Sequence, residues 1–284
     1  MVEYDGEVYF ISLKDIESIN YSIEQCKYQP AVNNVIRDKI VDKYTSFFDI
    51  KIHNGDSVNL DSIFVDKCAN FKVSIIDFFE VFLFNNLRNL NTKFVDYLKN
   101  NSEYEILKYY NDLVEYYNII IDSIEDISHF LQSTYIPKPL AISVMVHTID
   151  DRYLVTKRPM SLALGAGLSS VSVTGAMEIE DFKSSNPFAK CAIRELYEEL
   201  NVKINPENIN VLGIGLGRVK MQPVVIMNAH TELTSKEVIN KSLYAEDYGL
   251  EVSDLQALDI KDLKIFLKEN NFTEIGKFHI GNIV

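Results

Sequence analysis

The sequence predicts an α/β fold in the C-terminal half of the chain and a mainly α-helical domain before it. Pro137 and Pro139 stand where the pattern changes, and proline interrupts both helices and sheet interiors. Before them, apolar residues recur at helical spacing, and after them short β-type runs alternate with helical patterns. These observations predict a helical accessory domain over residues 1–136 and a layered α/β/α sandwich over residues 137–284.

The helical pattern is clearest between residues 106 and 131, where apolar side chains would share one face of a single long helix. An earlier helix is predicted at residues 32–47 and a middle one at residues 75–82. Asn54-Gly55 lies between these and predicts a β-hairpin, because Asn-Gly tolerates the positive φ angles of a type I′ turn. The Tyr- and Phe-rich helices leave two alternatives open, a homodimer interface or a core within this domain.

The C-terminal half contains short apolar runs with strand character between longer amphipathic segments. One run, residues 213–217, is rich in glycine but lacks the spacing of a dinucleotide or phosphate-loop fingerprint, and we interpret it as a closely packed strand. Strands are predicted at 141–146, 153–156, 169–173, 209–214 and 224–229, and helices at 187–200, 236–242 and 260–268.

Composition and charge limit the class of protein. At 284 residues the chain is long enough for two domains, and 47% hydrophobic residues suffice for globular cores. A net charge of −13 argues against a nucleic-acid polymer as partner, because binding a phosphate backbone needs clustered Lys and Arg. Cys26, Cys68 and Cys191 have neither disulfide-framework nor zinc-site spacing. Without a signal-peptide pattern or a membrane-length apolar run, the sequence predicts a cytoplasmic protein with no membrane partner.

The residues most informative about chemistry lie on the helix predicted at 187–200. Asn186 is a favourable N-cap and Pro187 a favourable first helical residue, which places the start of the helix. Glu195, Glu198 and Glu199 then stand at i, i+3 and i+4 and share one face. Three carboxylates on one face repel each other, and a hard divalent cation reverses that repulsion because Mg²⁺ prefers oxygen ligands.

Two neighbours of these glutamates indicate a defined geometry. Arg194 stands one turn before Glu198 and can fix the rotamer of that carboxylate. Asn201 follows the helix at a position that favours a left-handed residue. If only this short acidic segment is considered, the glutamates could equally form an ordinary solvated helix face instead of a metal site.

The segment from Gly175 to Val202 resembles the Nudix box, whose family pattern is G-x5-E-x7-R-E-U-x-E-E-x-G-U with U aliphatic. The sequence departs from the pattern at three points: Asp181 replaces the first glutamate, Asn201 replaces the late glycine, and five additional residues precede the helix. Insertion into such a loop costs little free energy. The matching positions are Gly175, Arg194, Glu195, Leu196, Glu198, Glu199 and Val202, and Glu178 takes the place of an acidic residue common after the glycine.

The resemblance implies a Nudix-like α/β/α sandwich over residues 140–284 and a Mg²⁺- or Mn²⁺-dependent hydrolase. By this resemblance, Glu198 and Glu199 would be the main metal ligands. Glu195 would be a further ligand or the general base, and the backbone carbonyl of Gly175 or of its neighbour would complete the metal shell. Arg194 would hold the glutamates in place.

Residues outside the box would complete the site. Members of the family often use another acid after the box as base or ligand, and Glu246, Glu251 and Asp247 are the candidates here. Cations that follow two of the β-type runs could contact substrate phosphates, and the alternative for each is an exposed strand-end cation. These cations are Lys157, Arg158, Arg218 and Lys220.

Two functions follow from these features. The first is a pyrophosphohydrolase that cleaves a small-molecule nucleoside diphosphate derivative by attack of water at phosphorus. The second is a non-catalytic Nudix-like module that binds a nucleotide or metabolite and acts in regulation. Retention of three box glutamates favours catalysis, whereas Asp181 at the altered position favours the binding module. A third alternative is that the N-terminal half dominates the function as a protein-interaction module.

Overall fold

The computed structural model describes residues 2–4, 8–14, 16–87, 91–124, 127–160, 167–217, 220–250, 252 and 254–284, with only the backbone at residues 2–4, 87, 127 and 128. The strands are β1 Val2–Tyr4, β2 Val8–Ser12, β3 Ser18–Ile23, β4 Asp56–Val65, β5 Cys68–Asp77, β6 Ala141–Thr148, β7 Tyr153–Lys157, β8 Ser169–Val171, β9 Val173–Ala176, β10 Ile209–Gly217, β11 Pro223–Thr231 and β12 Asp254–Leu258. The helices are α1 Asn34–Phe48, α2 Phe78–Leu87, α3 Thr92–Asn100, α4 Tyr104–Asp122, α5 Ile127–Gln132, α6 Pro187–Leu200, α7 Ser235–Ser242, α8 Ile260–Glu269 and α9 Glu274–Gly281, with 3₁₀ helices at Ile179–Lys183 and Pro206–Asn208.

The chain forms two compact units, one of Met1–Ser18 with Leu140–Val284 and the other of Ile19–Pro139. The boundary after Pro139 lies beside the one that the sequence predicts. The N-terminal strands differ from the prediction, because β2 pairs with β10 of the C-terminal unit, with Ser12 opposite Gly213. The prediction that places residues 1–136 in the accessory domain is therefore wrong for β1 and β2. The pairing of β2 with the distant β10 leaves no local signal in the sequence.

The C-terminal unit contains one mixed sheet with the strand order β1-β2-β10-β11-β6-β7-β12. β11 and β6 run parallel, from Val224 opposite Ala141 to Thr231 opposite Thr148. The other neighbours in this order are antiparallel. β9 pairs with the first half of β6 and β8 pairs with β7, so the segment that opens the box lies beside the central strand.

Helices cover both faces of this sheet. On one face, Met145 of β6 packs with Leu263 of α8 and Ile280 of α9. Because side chains alternate along a strand, the buried Val144 points to the opposite face, where α6 contacts β6 and β9. The unit is an α/β/α sandwich, as the sequence predicts, and the helix predicted at 187–200 is α6 with the same ends.

The N-terminal unit combines α1 to α5 with the three-stranded antiparallel sheet β3-β5-β4. Its core is rich in aromatic residues. The ring of Phe94 packs edge-on against Tyr44 and Tyr110, with centroids 5.0 and 5.2 Å apart, and all three residues are buried. Phe84 and Tyr117 form another edge-on pair with centroids 5.2 Å apart. Such pairs add to the free energy gained by burying the rings.

The β-hairpin predicted at Asn54-Gly55 is wrong. β4 and β5 both follow this dipeptide, and they turn at residues 66–67 instead. Asn54 acts at the start of α2, where its Oδ1 accepts the N–H of Phe79 at 3.1 Å and its Nδ2 donates to Asp77 at 2.9 Å. The short polar side chain that favours turns also competes for the N–H groups at a helix start.

The single helix predicted between residues 106 and 131 is wrong as well, because the structure has α4 and α5 there. Tyr110 and Tyr117 share the buried face that the sequence predicts. α4 ends at Asp122 with Ser123 as its C-cap, and residues 125–126 lie outside the described part of the chain. Among the helices that the structure describes, none is long and apolar enough to cross a membrane.

Candidate active site

Local signals fix where α6 begins and ends. The Oδ1 of Asn186 accepts the N–H of Ala189 at 3.1 Å, and Pro187 is the first helical residue. Asn201 ends the helix with a φ of 53°, a left-handed conformation that asparagine tolerates better than most residues. The register of α6, and with it the face on which each glutamate lies, therefore follows from the local sequence.

Glu195 packs directly against Gly175 of β9. A Cβ atom at position 175 would overlap the Glu195 carboxyl group, so this close approach requires glycine. Glu195 is only 7% exposed. β9 is held in place by pairing with β6, where Gly175 stands opposite Ile142. The opening glycine of the box thus makes room for one of its glutamates.

Glu199, one turn further along α6, also faces β9. Its Oε1 accepts the backbone N–H of Thr174 at 3.3 Å, and the residue is 3% exposed. Glu198 differs, because 33% of its side chain is exposed. Within about one helical turn, α6 therefore presents two buried carboxylates and one that reaches the surface.

Arg194 connects these acids to the strand and to the loop before the helix. Its Nη1 donates to Glu195 at 2.7 Å and to Glu198 at 3.1 Å. Its Nη2 donates to the carbonyl of Ala176 at 2.9 Å and to Asp181 at 3.3 Å. Burial opposes the charge on Arg194, but the carboxylates around it outweigh burial and raise its pKa, so the guanidinium stays charged.

Asp181 ties the 3₁₀ helix before α6 to Arg194. It is 1% exposed, and its Oδ2 accepts the N–H of Glu178 at 2.9 Å and the guanidinium at 3.3 Å. Sequence reasoning identified Asp181 only as a replacement for the first box glutamate. The contact spans thirteen residues across the insertion, and no local pattern in the sequence indicates it.

Cys191 lies beside the same group of residues and is fully buried. Its thiol donates to the carbonyl of Ala176 at 3.6 Å. Burial raises the pKa of the thiol, and the nearby Asp181 raises it further. The thiol is therefore protonated at neutral pH and is a packing group, since only a thiolate is a good nucleophile.

The carboxylate oxygens of Glu195, Glu198 and Glu199 suit Mg²⁺ or Mn²⁺, since both ions prefer oxygen ligands. In the part of the chain that is described, however, no three acidic, histidine or cysteine side chains converge as a metal-binding group. The position of Arg194 explains this, because its guanidinium bonds both Glu195 and Glu198. The predicted ligand set, which includes the carbonyl of Gly175, thus stays a prediction.

The acids after the box are only partly described. The backbone N–H of Asp247 donates to the carbonyl of Glu198 at 3.1 Å, which brings this loop to the end of the box helix. Glu246 is exposed, and Glu251 lies outside the described residues. The choice of a base among these acids stays a prediction.

Arg158 lies next to the box glutamates. Its Nη1 donates to the hydroxyl of Thr174 at 3.1 Å, and the N–H of Thr174 bonds Glu199. The N–H of Lys220 donates to Glu274 at 3.2 Å. Lys220 is exposed as a residue, but protein around its ammonium displaces water and lowers its pKa to about 8; Arg158 lowers it too, and Glu274 opposes both. Arg158 is thus close enough for its charge to act on the ammonium of Lys220.

The remaining cations give less information. Lys157 is exposed at the end of β7, and Arg218 lies outside the described residues. Sequence reasoning missed Thr174, whose N–H and hydroxyl link Glu199 to Arg158. A threonine before the box glycine has no chemical signature of its own, so only the structure reveals its contacts.

No protein-family model and no curated protein matches the chain. Several solved structures are similar to part of the chain. The Nudix hydrolase from Alicyclobacillus acidocaldarius is 11% identical with a TM-score of 0.39, and the match covers 51% of this chain and 90% of that one. The MutT protein from Methanosarcina mazei Go1 is 11% identical with a TM-score of 0.37, covering 51% and 93%. The Nudix domain of Shewanella oneidensis NrtR, crystallised with ADP ribose, is 15% identical with a TM-score of 0.36, covering 51% and 86%.

The box segment lies between β9 and the end of α6 in an α/β/α sandwich. This arrangement resembles that of the Nudix box in its family. At these identities and TM-scores the solved structures carry no argument about the family or the activity of this chain. What the Nudix-like unit does chemically has to be argued from its own carboxylates, cations and backbone contacts.

Proposed function

We propose that this chain is a cytoplasmic, Mg²⁺-dependent hydrolase that cleaves the pyrophosphate bond of a nucleoside diphosphate linked to another moiety, by attack of water at phosphorus. The observation that supports this most is the burial of Glu195 and Glu199, one turn apart, against β9. Burial of like charges at this spacing costs free energy, and a divalent cation makes the same arrangement favourable. The alternative of an ordinary solvated helix face does not explain two buried carboxylates.

Three glutamates and one carbonyl would hold the metal. Glu195, Glu198 and Glu199 with the carbonyl of Gly175 would bind Mg²⁺ or Mn²⁺, which neutralises phosphate charge and activates water when bound. Glu195 is confined by Gly175, and Glu199 accepts the N–H of Thr174. Two of the carboxylates are therefore held by β9, while the more exposed Glu198 has room to rotate.

Arg194 is a positioning residue in this proposal. Two of its contacts, the carbonyl of Ala176 and the carboxylate of Asp181, do not involve box glutamates. If Glu198 turned towards a cation held at Glu195 and Glu199, Arg194 would keep these two contacts and stay in place. Its charge then continues to stabilise the glutamates in their ionised form.

The cations beside the box would bind the substrate phosphates. Arg158, which shares Thr174 with Glu199, and Lys220, which lies near Arg158, are the best placed. A guanidinium offers a planar pair of donors to phosphate oxygens, and an ammonium offers a point charge. Lys157 and Arg218 are proposed as further contacts.

The proton of the attacking water needs an acceptor. Glu195 is a candidate if it is not a metal ligand, since it lies within the carboxylate group. Glu246, Glu251 and Asp247 are the other candidates, and Asp247 is the one whose backbone bonds the box helix. Single replacements of each by the corresponding amide would separate them, because loss of the base changes the pH profile of kcat as well as its size.

The test is hydrolysis of a panel of nucleoside diphosphate derivatives with Mg²⁺, including ADP ribose, with which the Shewanella domain was crystallised. Phosphate released from the products by added phosphatase is the readout. We expect turnover of at least one compound, and loss of turnover when EDTA replaces Mg²⁺. No turnover of any panel compound with Mg²⁺ or Mn²⁺ would contradict the proposal.

The variant Glu199→Gln tests the role of the box. It keeps the size and the contact with Thr174 but removes the charge, so we expect turnover to fall by about a thousandfold or more with the fold intact. Glu207→Gln is the matched control, because Glu207 is exposed on a 3₁₀ helix outside the box. Equal turnover in the two variants would show that Glu199 does not take part.

A second candidate function is a Nudix-like module that binds a nucleotide or metabolite without turnover. The bonds from Arg194 to Glu195 and Glu198 favour it, because they occupy two carboxylates that a metal would need. Calorimetry with the same panel distinguishes the functions. A binding module would bind a compound equally well with and without Mg²⁺ and release no product.

A further inference from the structure

A polar groove of about 500 Å³ lies at the C-terminal end of α6. This volume is within the range of small-molecule sites. We call it the Tyr197 groove; its lining comes from α6, the loop after it, the end of β11 and α7, and includes Tyr197, Asn201, Lys203, Asn208, His230 and Lys241.

The Tyr197 groove is separate from the box carboxylates. Tyr197 stands two positions after Glu195 and two before Glu199, so the helical repeat turns it to the opposite side of α6. Both glutamates are buried against β9, whereas Tyr197 is 49% exposed. A molecule in the groove would therefore lie against a face of α6 that the proposed reaction does not use.

The charge of the groove contrasts with that of the protein. Lys203 and Lys241 line it with one carboxylate, Glu232, although the whole chain carries a net charge of −13. A locally basic concave surface on an acidic protein concentrates small anions. The groove is thus suited to an anionic ligand.

An aromatic ring and unpaired amides add to this charge. The ammonium of Lys203 lies 5.5 Å from the centre of the exposed Tyr197 ring. Among the residues that the structure describes, the side-chain amides of Asn201, Asn205 and Asn208 form no hydrogen bond with protein. An exposed ring can stack with a planar base, and free amides can donate to and accept from its edge.

We infer that the Tyr197 groove binds a nucleoside monophosphate, with the base against the ring of Tyr197 and the phosphate at Lys203 and Lys241. The volume exceeds the needs of a free phosphate, and the ring and amides have no role in binding phosphate alone. The site is independent of the hydrolase reaction and does not rest on it. A nucleotide bound there would contact the end of the box helix, whose last turn carries Glu198 and Glu199.

The test is calorimetric titration of the full chain with AMP in EDTA, so that divalent metal at the box does not contribute. We expect AMP to bind, and both inorganic phosphate and adenosine to bind at least about tenfold more weakly, because each lacks half of the recognised group. Tyr197→Ala and Lys203→Gln should each weaken AMP binding by about tenfold. Both side chains are exposed, so these variants should keep their fold.

Two controls distinguish the groove from other sites. Lys190→Gln removes an exposed lysine of α6 that does not line the groove and should leave AMP binding unchanged. Glu199→Gln should also leave it unchanged, since the box lies on another face. The inference is overturned if AMP does not bind, if phosphate binds as tightly as AMP, or if the groove variants bind AMP as well as the Lys190→Gln control. Because no turnover is measured, failure of the hydrolase proposal would not affect these outcomes.

Discussion

Arg194 and Asp181 show how single residues organise the candidate site. The guanidinium bonds five groups from three parts of the chain, and Asp181 is its most buried acidic partner. The family pattern has a glutamate at this point, and the shorter aspartate reaches Arg194 because the preceding 3₁₀ helix is capped by the same carboxylate. The replacement therefore keeps a carboxylate contact with the box arginine.

The variant Asp181→Asn should lower the free energy of unfolding by about 1–3 kcal/mol, because it leaves a half-buried guanidinium without one of its charged partners. Chemical denaturation of the full chain measures this. The matched control is Glu180→Gln on the same 3₁₀ helix, whose ion pair with Lys183 is exposed, and the expected change is below about 1 kcal/mol. Equal effects of both substitutions would mean that Asp181 does not anchor Arg194.

His279 makes stability depend on pH. It is fully buried, where its Nε2 donates to Asn228 at 2.9 Å and its Nδ1 accepts the hydroxyl of Ser143 at 3.2 Å. Burial lowers its pKa to about 3 from an ordinary 6.5, so the unfolded chain binds a proton below pH 6.5 that the folded chain excludes. This contribution to stability is complete above pH 6.5 and is lost progressively as the pH falls towards 3.

The variant His279→Gln should reduce that loss, because glutamine can donate and accept in the same places without titrating. Between pH 6 and 4 we expect the wild type to lose about 1 kcal/mol per pH unit more than the variant. Thermal unfolding at a series of pH values is the measurement. Parallel pH profiles of the two proteins would show that His279 binds its proton equally well in the folded and the unfolded chain, which would contradict this account.

At the scale of elements, the sequence predicts best where signals are local. Both ends of α6 were predicted correctly, because Asn186, Pro187 and Asn201 act on their own helix. The strand interpretation of residues 213–217 is also confirmed: a Cβ at Gly213 would meet the carbonyl of Ile11, so β2 can pair closely with β10 only at a glycine. The hairpin at Asn54-Gly55 failed because its asparagine caps a helix, a choice that depends on distant residues.

The variant Asn186→Ala tests the N-cap of the box helix. It removes the hydrogen bond to the N–H of Ala189 and should lower the free energy of unfolding by about 1 kcal/mol. Ser185→Ala is a suitable control because Ser185 is exposed and precedes the cap. If denaturation midpoints shift equally in both variants, the cap does not determine the start of α6.

At the scale of the whole molecule, the N-terminal strands complete the sheet of the Nudix-like unit. β2 covers the edge of β10, and β1 pairs only with β2 in the described strand order. No periodicity in the sequence could reveal this, because the partners are separated by about two hundred residues, of which 19–139 form the other unit. The sequence therefore assigns β1 and β2 to the N-terminal domain, whereas in the structure they belong to the C-terminal unit.

Two truncations test this pairing. Deletion of residues 1–12 removes β1 and β2, and it should expose the edge of β10 and cause loss of thermal stability with aggregation. Deletion of residues 1–4 removes β1 alone and should have a much smaller effect, because β2 still covers the edge. Light scattering during heating distinguishes them. Identical behaviour of the two truncated chains would contradict the role of β2.

The central claim is that the glutamates of α6 hold a divalent cation next to a pyrophosphate. The most direct measurement is anomalous diffraction from crystals soaked with Mn²⁺ and a nucleoside diphosphate derivative. We expect a peak within about 2.2 Å of carboxylate oxygens of Glu198 and Glu199, with Arg194 still bonded to Asp181. A peak elsewhere, or no peak while Arg194 still bonds Glu195 and Glu198, would contradict the claim.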